Sequence, residues 1–127
     1  MRLTRHLSRL VVALLVAAIC LATPGLAQGA KPPRSISSRA VEPKPQAFFI
    51  KGAVAPDYGK KKIFVERRIG GQGDWRVVRT AKTTQLGRYK VRIFRFRESR
   101  KTCWRVRVPG RNEYRGAKTS AVCLLRA

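Results

Sequence analysis

Arginine and lysine alternate with rings and branched aliphatic side chains along Arg88-Tyr89-Lys90-Val91-Arg92-Ile93, and the pattern continues as Phe94-Arg95-Phe96-Arg97 with its apolar phase shifted by one. A period of two puts the apolar set on one face of a strand and the cations on the other. A row of outward cations is chemistry for holding anionic groups on a polymer. The segment Trp104-Arg105-Val106-Arg107-Val108 repeats the pattern. The outward basic set is therefore Arg88, Lys90, Arg92, Arg95, Arg97, Arg105 and Arg107, with Lys60, Lys61, Lys62, Arg67, Arg68, Arg76 and Arg79 elsewhere on the domain.

The phase shift at Ile93/Phe94 admits two readings. A β-bulge there returns Phe94 and Phe96 to the core and leaves Arg95 and Arg97 outside. Without a bulge, Phe94 and Phe96 stand exposed among the cations, as in the stacking platform of a single-stranded nucleic-acid binder. A small domain needs its phenylalanines inside, which favours the bulge.

Catalytic chemistry finds little to work with. The chain has one histidine, His6, so a Ser-His-Asp triad, a Cys-His pair or a histidine zinc site has no place in the remainder. The acids Glu42, Asp57, Glu66, Asp74, Glu98 and Glu113 are not spaced as a carboxylate pair. The glycine run Gly70-Gly71-Gln72-Gly73 lacks the Lys-Ser/Thr of a phosphate loop and reads as a hairpin turn. No catalytic, cofactor-binding or metal-ligating residue is assigned, and the chain reads as a non-enzyme.

Residues 1–27 have the layout of a secretory signal: basic Arg2, Arg5 and Arg9, an apolar run from Leu10 to Leu21, and Gly25-Leu26-Ala27 as a small-x-small cleavage site. The apolar run, about 12 residues long, falls short of the roughly 20 needed to span a bilayer. Cleavage near Ala27 implies a secreted protein with no transmembrane segment. It also removes His6 and Cys20; Ile19 stands where a lipoprotein signal wants a small residue. What remains carries 26 basic and 6 acidic residues, a net charge of +20. Solubility alone asks for a magnitude of only about 2 to 8. A polyanionic partner accounts for the excess; a compositional bias toward arginine is the plainer alternative.

Residues 28–46 hold Pro32, Pro33, Pro43 and Pro45 with several serines, and read as an extended, disordered leader. From residue 47 to 127 short apolar runs recur about ten residues apart between Gly, Pro, Asp and Asn turns. Strands are expected at 48–54, 61–68, 75–80, 89–97, 103–108 and 119–125. The fold class is all-β, a small antiparallel two-sheet sandwich of six to seven strands, with Trp75, Tyr89, Val91, Trp104 and Val106 in the core.

Cys103 and Cys123 are an even pair in an oxidising setting, where a disulfide is expected. If they lie directly opposite in an antiparallel pair, Trp104 faces Val122 and Val106 faces Ser120. That register turns both sulfurs to the outer face and Trp104, Val106, Val122 and Leu124 inward, in agreement with the hydrophobic alternation.

The succession Gly52-Ala53-Val54-Ala55-Pro56, Gly73-Asp74-Trp75, Gly87-Arg88-Tyr89 and Trp104-Arg105-Val106 resembles the small immunoglobulin-like or fibronectin-III-like domains of secreted actinobacterial proteins. The resemblance runs over residues 48–125 and implies a sandwich that adheres, spaces or recognises without catalysis. The expected function is a secreted cationic interaction or surface-associated structural module contacting anionic cell-wall polymers, glycans or DNA. A nonspecific nucleic-acid binder using Phe94, Phe96 and the neighbouring arginines is the alternative. A cationic antibacterial protein is a lesser one, since no amphipathic helix is in view.

Overall fold

The computed structural model describes residues 29–126, among which there is no helix. The proposed signal segment, its cleavage site and Cys20 lie outside the described residues. Among the described residues nine strands form: β1 (Ser35–Ile36), β2 (Arg39–Lys44), β3 (Ala47–Ala55), β4 (Lys62–Ile69), β5 (Arg76–Lys82), β6 (Arg88–Ile93), β7 (Lys101–Val108), β8 (Ala117–Lys118) and β9 (Val122–Leu125).

All pairings between strands are antiparallel and make two sheets. In one, β3 is flanked by β6 on one side and by β1 and β2 on the other. In the other, β5, β4 and β7 lie in that order, and β8 and β9 share the far edge of β7. The chain is thus the all-β, two-sheet structure its punctuation predicts.

Alternation builds the core. On β6 the apolar Tyr89, Val91 and Ile93 are buried while Arg88, Lys90 and Arg92 are exposed. Their partners Gly52, Ile50 and Phe48 come from β3, and Ile63, Val65, Trp104, Val106 and Val108 face them from the second sheet. Each fully buried aliphatic side chain contributes about 1.5–3 kcal/mol. The Cys103–Cys123 disulfide closes a loop with a sequence separation of 20, worth about 3 kcal/mol.

Several expectations are corrected. The expected disordered leader, 28–46, is not one over its described residues, 29–46. From Ser35 to Val41 the segment runs along β3 in one register, Ser35 opposite Ala55 and Arg39 opposite Lys51, with a break at Ser37 and Ser38; beyond Val41 the register shifts by one, so that Lys44 faces Ala47. Arg34 anchors the entry: it is 6 % exposed, its guanidinium lies 4.8 Å from the Tyr58 ring and 4.5 Å from the Tyr114 ring, and it donates to the Pro56 carbonyl. A prolyl-rich composition hides an edge strand here, because proline is tolerated at an edge whose outer N–H groups need no partner.

The apolar phase shift at Ile93 is resolved by neither a bulge nor a continued strand. β6 stops at Ile93, Phe94 is 48 % exposed and Phe96 half-buried. The Phe94 carbonyl accepts the Trp104 indole N–H at 3.2 Å, which holds the chain as it leaves the sheet.

Trp75 is not a core residue. It precedes β5 and shares the parity of Val77, opposite Glu66 on the outer side of the sheet. The register along β7 is as expected for Cys103 with Cys123 and Trp104 with Val122, but not for Val106 with Ser120. One extra residue on the β8–β9 side slips the pairing, so that Arg107 faces Lys118. Thr119 fills the gap: its N–H donates to the Val106 carbonyl at 2.9 Å and its hydroxyl accepts from the Val106 N–H at 3.0 Å.

The break in the first edge strand depends on Gly52. A Cβ at that position would sit 1.8 Å from the Ser37 carbonyl oxygen and 2.8 Å from the Tyr89 hydroxyl, which donates to the same carbonyl at 2.6 Å. Gly52→Ala is expected to push β1 and β2 off β3 and cost about 2 kcal/mol, on the order of 10 °C in melting temperature. An unchanged melting curve would mean that the segment does not dock.

Candidate polyanion-binding face

Residues paired directly across an antiparallel sheet point to the same side, so register alone assembles the outer faces. On the first sheet, Arg39, Lys51 and Lys90 stand opposite one another across β2, β3 and β6. Arg88 and Arg92 flank Lys90 on the same face, opposite Ala53 and Phe49. A groove of about 420 Å³ beside the Ser37–Ser38 break is lined by Arg39, Lys51, Arg88 and Lys90. The Lys90 ammonium rests 4.6 Å from the Phe49 ring.

Like charges directly opposite destabilise a sheet. This row has three. Among the described residues the ion pairs are those of Glu66, so no carboxylate offsets the row. The nearest acid in sequence, Glu42, instead accepts the Gln46 N–H at 2.8 Å and closes the β2–β3 turn.

The seven cations expected to act together do not share one surface. Arg88, Lys90 and Arg92 lie on the face just described. Arg95 and Arg97 follow the end of β6; Arg95 stacks 4.7 Å from the Phe48 ring and the Arg97 carbonyl accepts from Arg126. Arg105 and Arg107 belong to the outer side of the second sheet. There the guanidiniums grip one carboxylate, Arg105 Nε to Glu66 Oε2 at 2.5 Å and Arg107 Nε to Oε1 at 2.6 Å.

Rings complete that second face. Arg107 lies 4.7 Å from the Phe64 ring, and Trp75 is flanked by Arg105 at 4.3 Å and Arg68 at 4.7 Å. The result is a ladder of Phe64, Arg107, Glu66, Arg105, Trp75 and Arg68 whose guanidiniums are partly covered. Arg105 and Arg107 are held by a carboxylate, whereas among the described residues Arg39, Lys51, Arg88, Lys90 and Arg92 of the first sheet have none.

Sequence reasoning missed Arg39 because its segment read as disordered. It also passed over Lys51, whose signal was present: Phe49, Lys51 and Ala53 occupy the phase opposite the buried Phe48, Ile50 and Val54.

Burial pushes the Glu66 carboxyl up, but the hydrogen bonds and charges of Arg107 and Arg105 outweigh it and hold the group below the usual 4.5. A folded-state pKa below the unfolded one gives stability that is complete above about pH 4.5 and is lost as pH falls through the lower folded value. Glu66→Gln leaves two guanidiniums facing a neutral amide. It is expected to cost about 2 kcal/mol at neutral pH and to flatten the acid limb of stability measured by urea unfolding from neutral pH downward. A variant as stable and as acid-sensitive as the parent would contradict this assignment.

Compared with known proteins, the chain matches no family model, no curated protein and no solved structure.

Proposed function

We propose that the protein is a secreted, non-catalytic sandwich that attaches through the Arg39, Lys51, Arg88, Lys90 and Arg92 face to anionic extracellular polymers: acidic cell-wall polymers, glycans or released DNA. The observation that carries this reading is the cross-strand row of three cations with no counter-ion among the described residues. Such a row is unfavourable in the free protein and becomes favourable when a polyanion lies over it. A disulfide accords with an extracellular location, and among the described residues no helix is long and apolar enough to cross a membrane.

A second reading, nucleic-acid binding with base stacking, is favoured by one feature. Phe94 is 48 % exposed and lies 5.3 Å from the Arg92 guanidinium, at the end of the basic strand. Phe96 does not join it in a platform; its ring is covered by Arg67 at 5.2 Å.

Binding to a fluorescent single-stranded oligonucleotide and to immobilised heparin, followed against chloride concentration, tests both readings. If five cations are engaged, the slope of log affinity against log salt on the single strand is about −3.5. The double variant Lys51→Gln, Lys90→Gln should make that slope shallower by roughly 1.4. Retention that does not depend on salt would contradict the proposal. Phe94→Ala is expected to weaken oligonucleotide binding about tenfold with heparin elution unchanged if bases stack on the ring, and to change neither if they do not.

A further inference from the structure

Arginines also occupy positions where the sheets face one another, away from the row that carries the proposed function. Arg67 on β4 lies opposite Trp104 and follows the inward sequence Ile63, Val65. Alternation reserves that position for an apolar side chain. Arg79 on β5 reaches the same side by a different device. Val77 lies opposite Glu66 on the outer face, yet Arg79 lies opposite Val65 on the inner one, because the bulge at Val78 reverses the parity of the strand. Bulges that re-aim a side chain gather at functional sites.

The two arginines line a cavity of about 130 Å³ together with Val65, Val78, Trp104 and Phe94, at the edge where β5 meets β6, and Arg92 of β6 borders it from the exposed side of that strand. Arg67 lies 5.8 Å from the Trp104 ring and Arg92 lies 5.3 Å from that of Phe94, so aromatic faces steady two of the guanidiniums. None of the three has a carboxylate partner among the described residues. All three are arginines, whereas the groove on the outer face mixes in Lys51 and Lys90. Planar forks suit an anion with several oxygens more than a point charge. The cavity lies below the roughly 300 Å³ of a site that encloses a whole drug-sized ligand, and so takes one end group.

We infer that Arg67, Arg79 and Arg92 form a second anion site, at the open edge of the sandwich where β5 meets β6, for a phosphate dianion: a phosphate monoester end group or free inorganic phosphate. A diester fits poorly, since it brings one charge and two free oxygens to three guanidiniums. This site stands apart from the proposed polymer-binding face and shares only Arg92 with it.

The test is titration of the intact protein with inorganic phosphate, methyl phosphate and dimethyl phosphate near neutral pH and at constant ionic strength. Binding is read from the Arg67 and Arg79 Nε–H and Trp104 indole N–H resonances. The expected result is saturable movement of these signals with the first two probes and affinity at least roughly tenfold weaker for dimethyl phosphate. Tighter binding of methyl than inorganic phosphate assigns the site to an end group, and the reverse to the free ion; either supports the proposal. Arg79 is exposed, so Arg79→Gln should fold and lose affinity roughly tenfold, with Arg79→Lys recovering part of it. Lys51→Gln with Lys90→Gln should leave these titrations unchanged, which separates this site from the polymer-binding face. Linear, unsaturable shifts, equal binding of dimethyl phosphate, or full affinity in Arg79→Gln would overturn the inference.

Discussion

A sheet that buries one side must put its remaining side chains on the other, and in this chain those side chains are overwhelmingly cations. The full sequence holds 29 basic and 6 acidic residues, so counter-ions cannot neutralise the outer faces. One carboxylate, Glu66, serves two arginines at once, Arg105 and Arg107. Several other guanidiniums lie over an aromatic face. Arg34 lies between Tyr58 and Tyr114, and Arg68 lies over Trp75. Each such contact is worth about 0.5–1 kcal/mol when exposed and more when desolvated. Rings that an ordinary sandwich keeps for its core here sit partly outside it, holding positive charge in place.

The two sheets resolve this constraint differently, and the proposed function rests on the difference. On the β5–β4–β7 sheet the arginines are tied down by Glu66, Phe64 and Trp75. On the β2–β3–β6 sheet Arg39, Lys51 and Lys90 stand in a row without an anion. An exposed row of like charges of this kind is what the proposed attachment to a polyanion would use. The interruption of the edge strand at Ser37 and Ser38 shapes the groove at that surface, and it exists because Gly52 leaves room for the Ser37 carbonyl.

Much of the fold was legible in the sequence. The strict alternation of Arg88 to Ile93 gives β6 its faces, and the equal reach of Cys103 and Cys123 about the last connection gives the β7–β9 register. What could not be read shares one physical cause: period-two patterns carry no information about where a strand gains a residue or stops. The Thr119 slip, the Val78 bulge and the end of β6 at Ile93 are all of this kind. The first edge strand was hidden by composition, since the four prolines and the serines of residues 28–46 resemble a linker until the buried Arg34 between two tyrosines is seen. For the candidate site, Arg88, Lys90 and Arg92 were visible in one strand; Arg39 and Lys51 required the pairing of three.

The central claim is that the row of Arg39, Lys51 and Lys90 carries repulsion that no carboxylate among the described residues relieves. Its most direct measurement is the melting temperature at neutral pH as chloride salt is raised. Screening weakens repulsion between exposed charges beyond about 10 Å at 0.1 M ionic strength, so the account predicts a melting temperature that climbs with salt. A melting temperature that falls with salt would show that attractive pairs dominate the surface, and would contradict it.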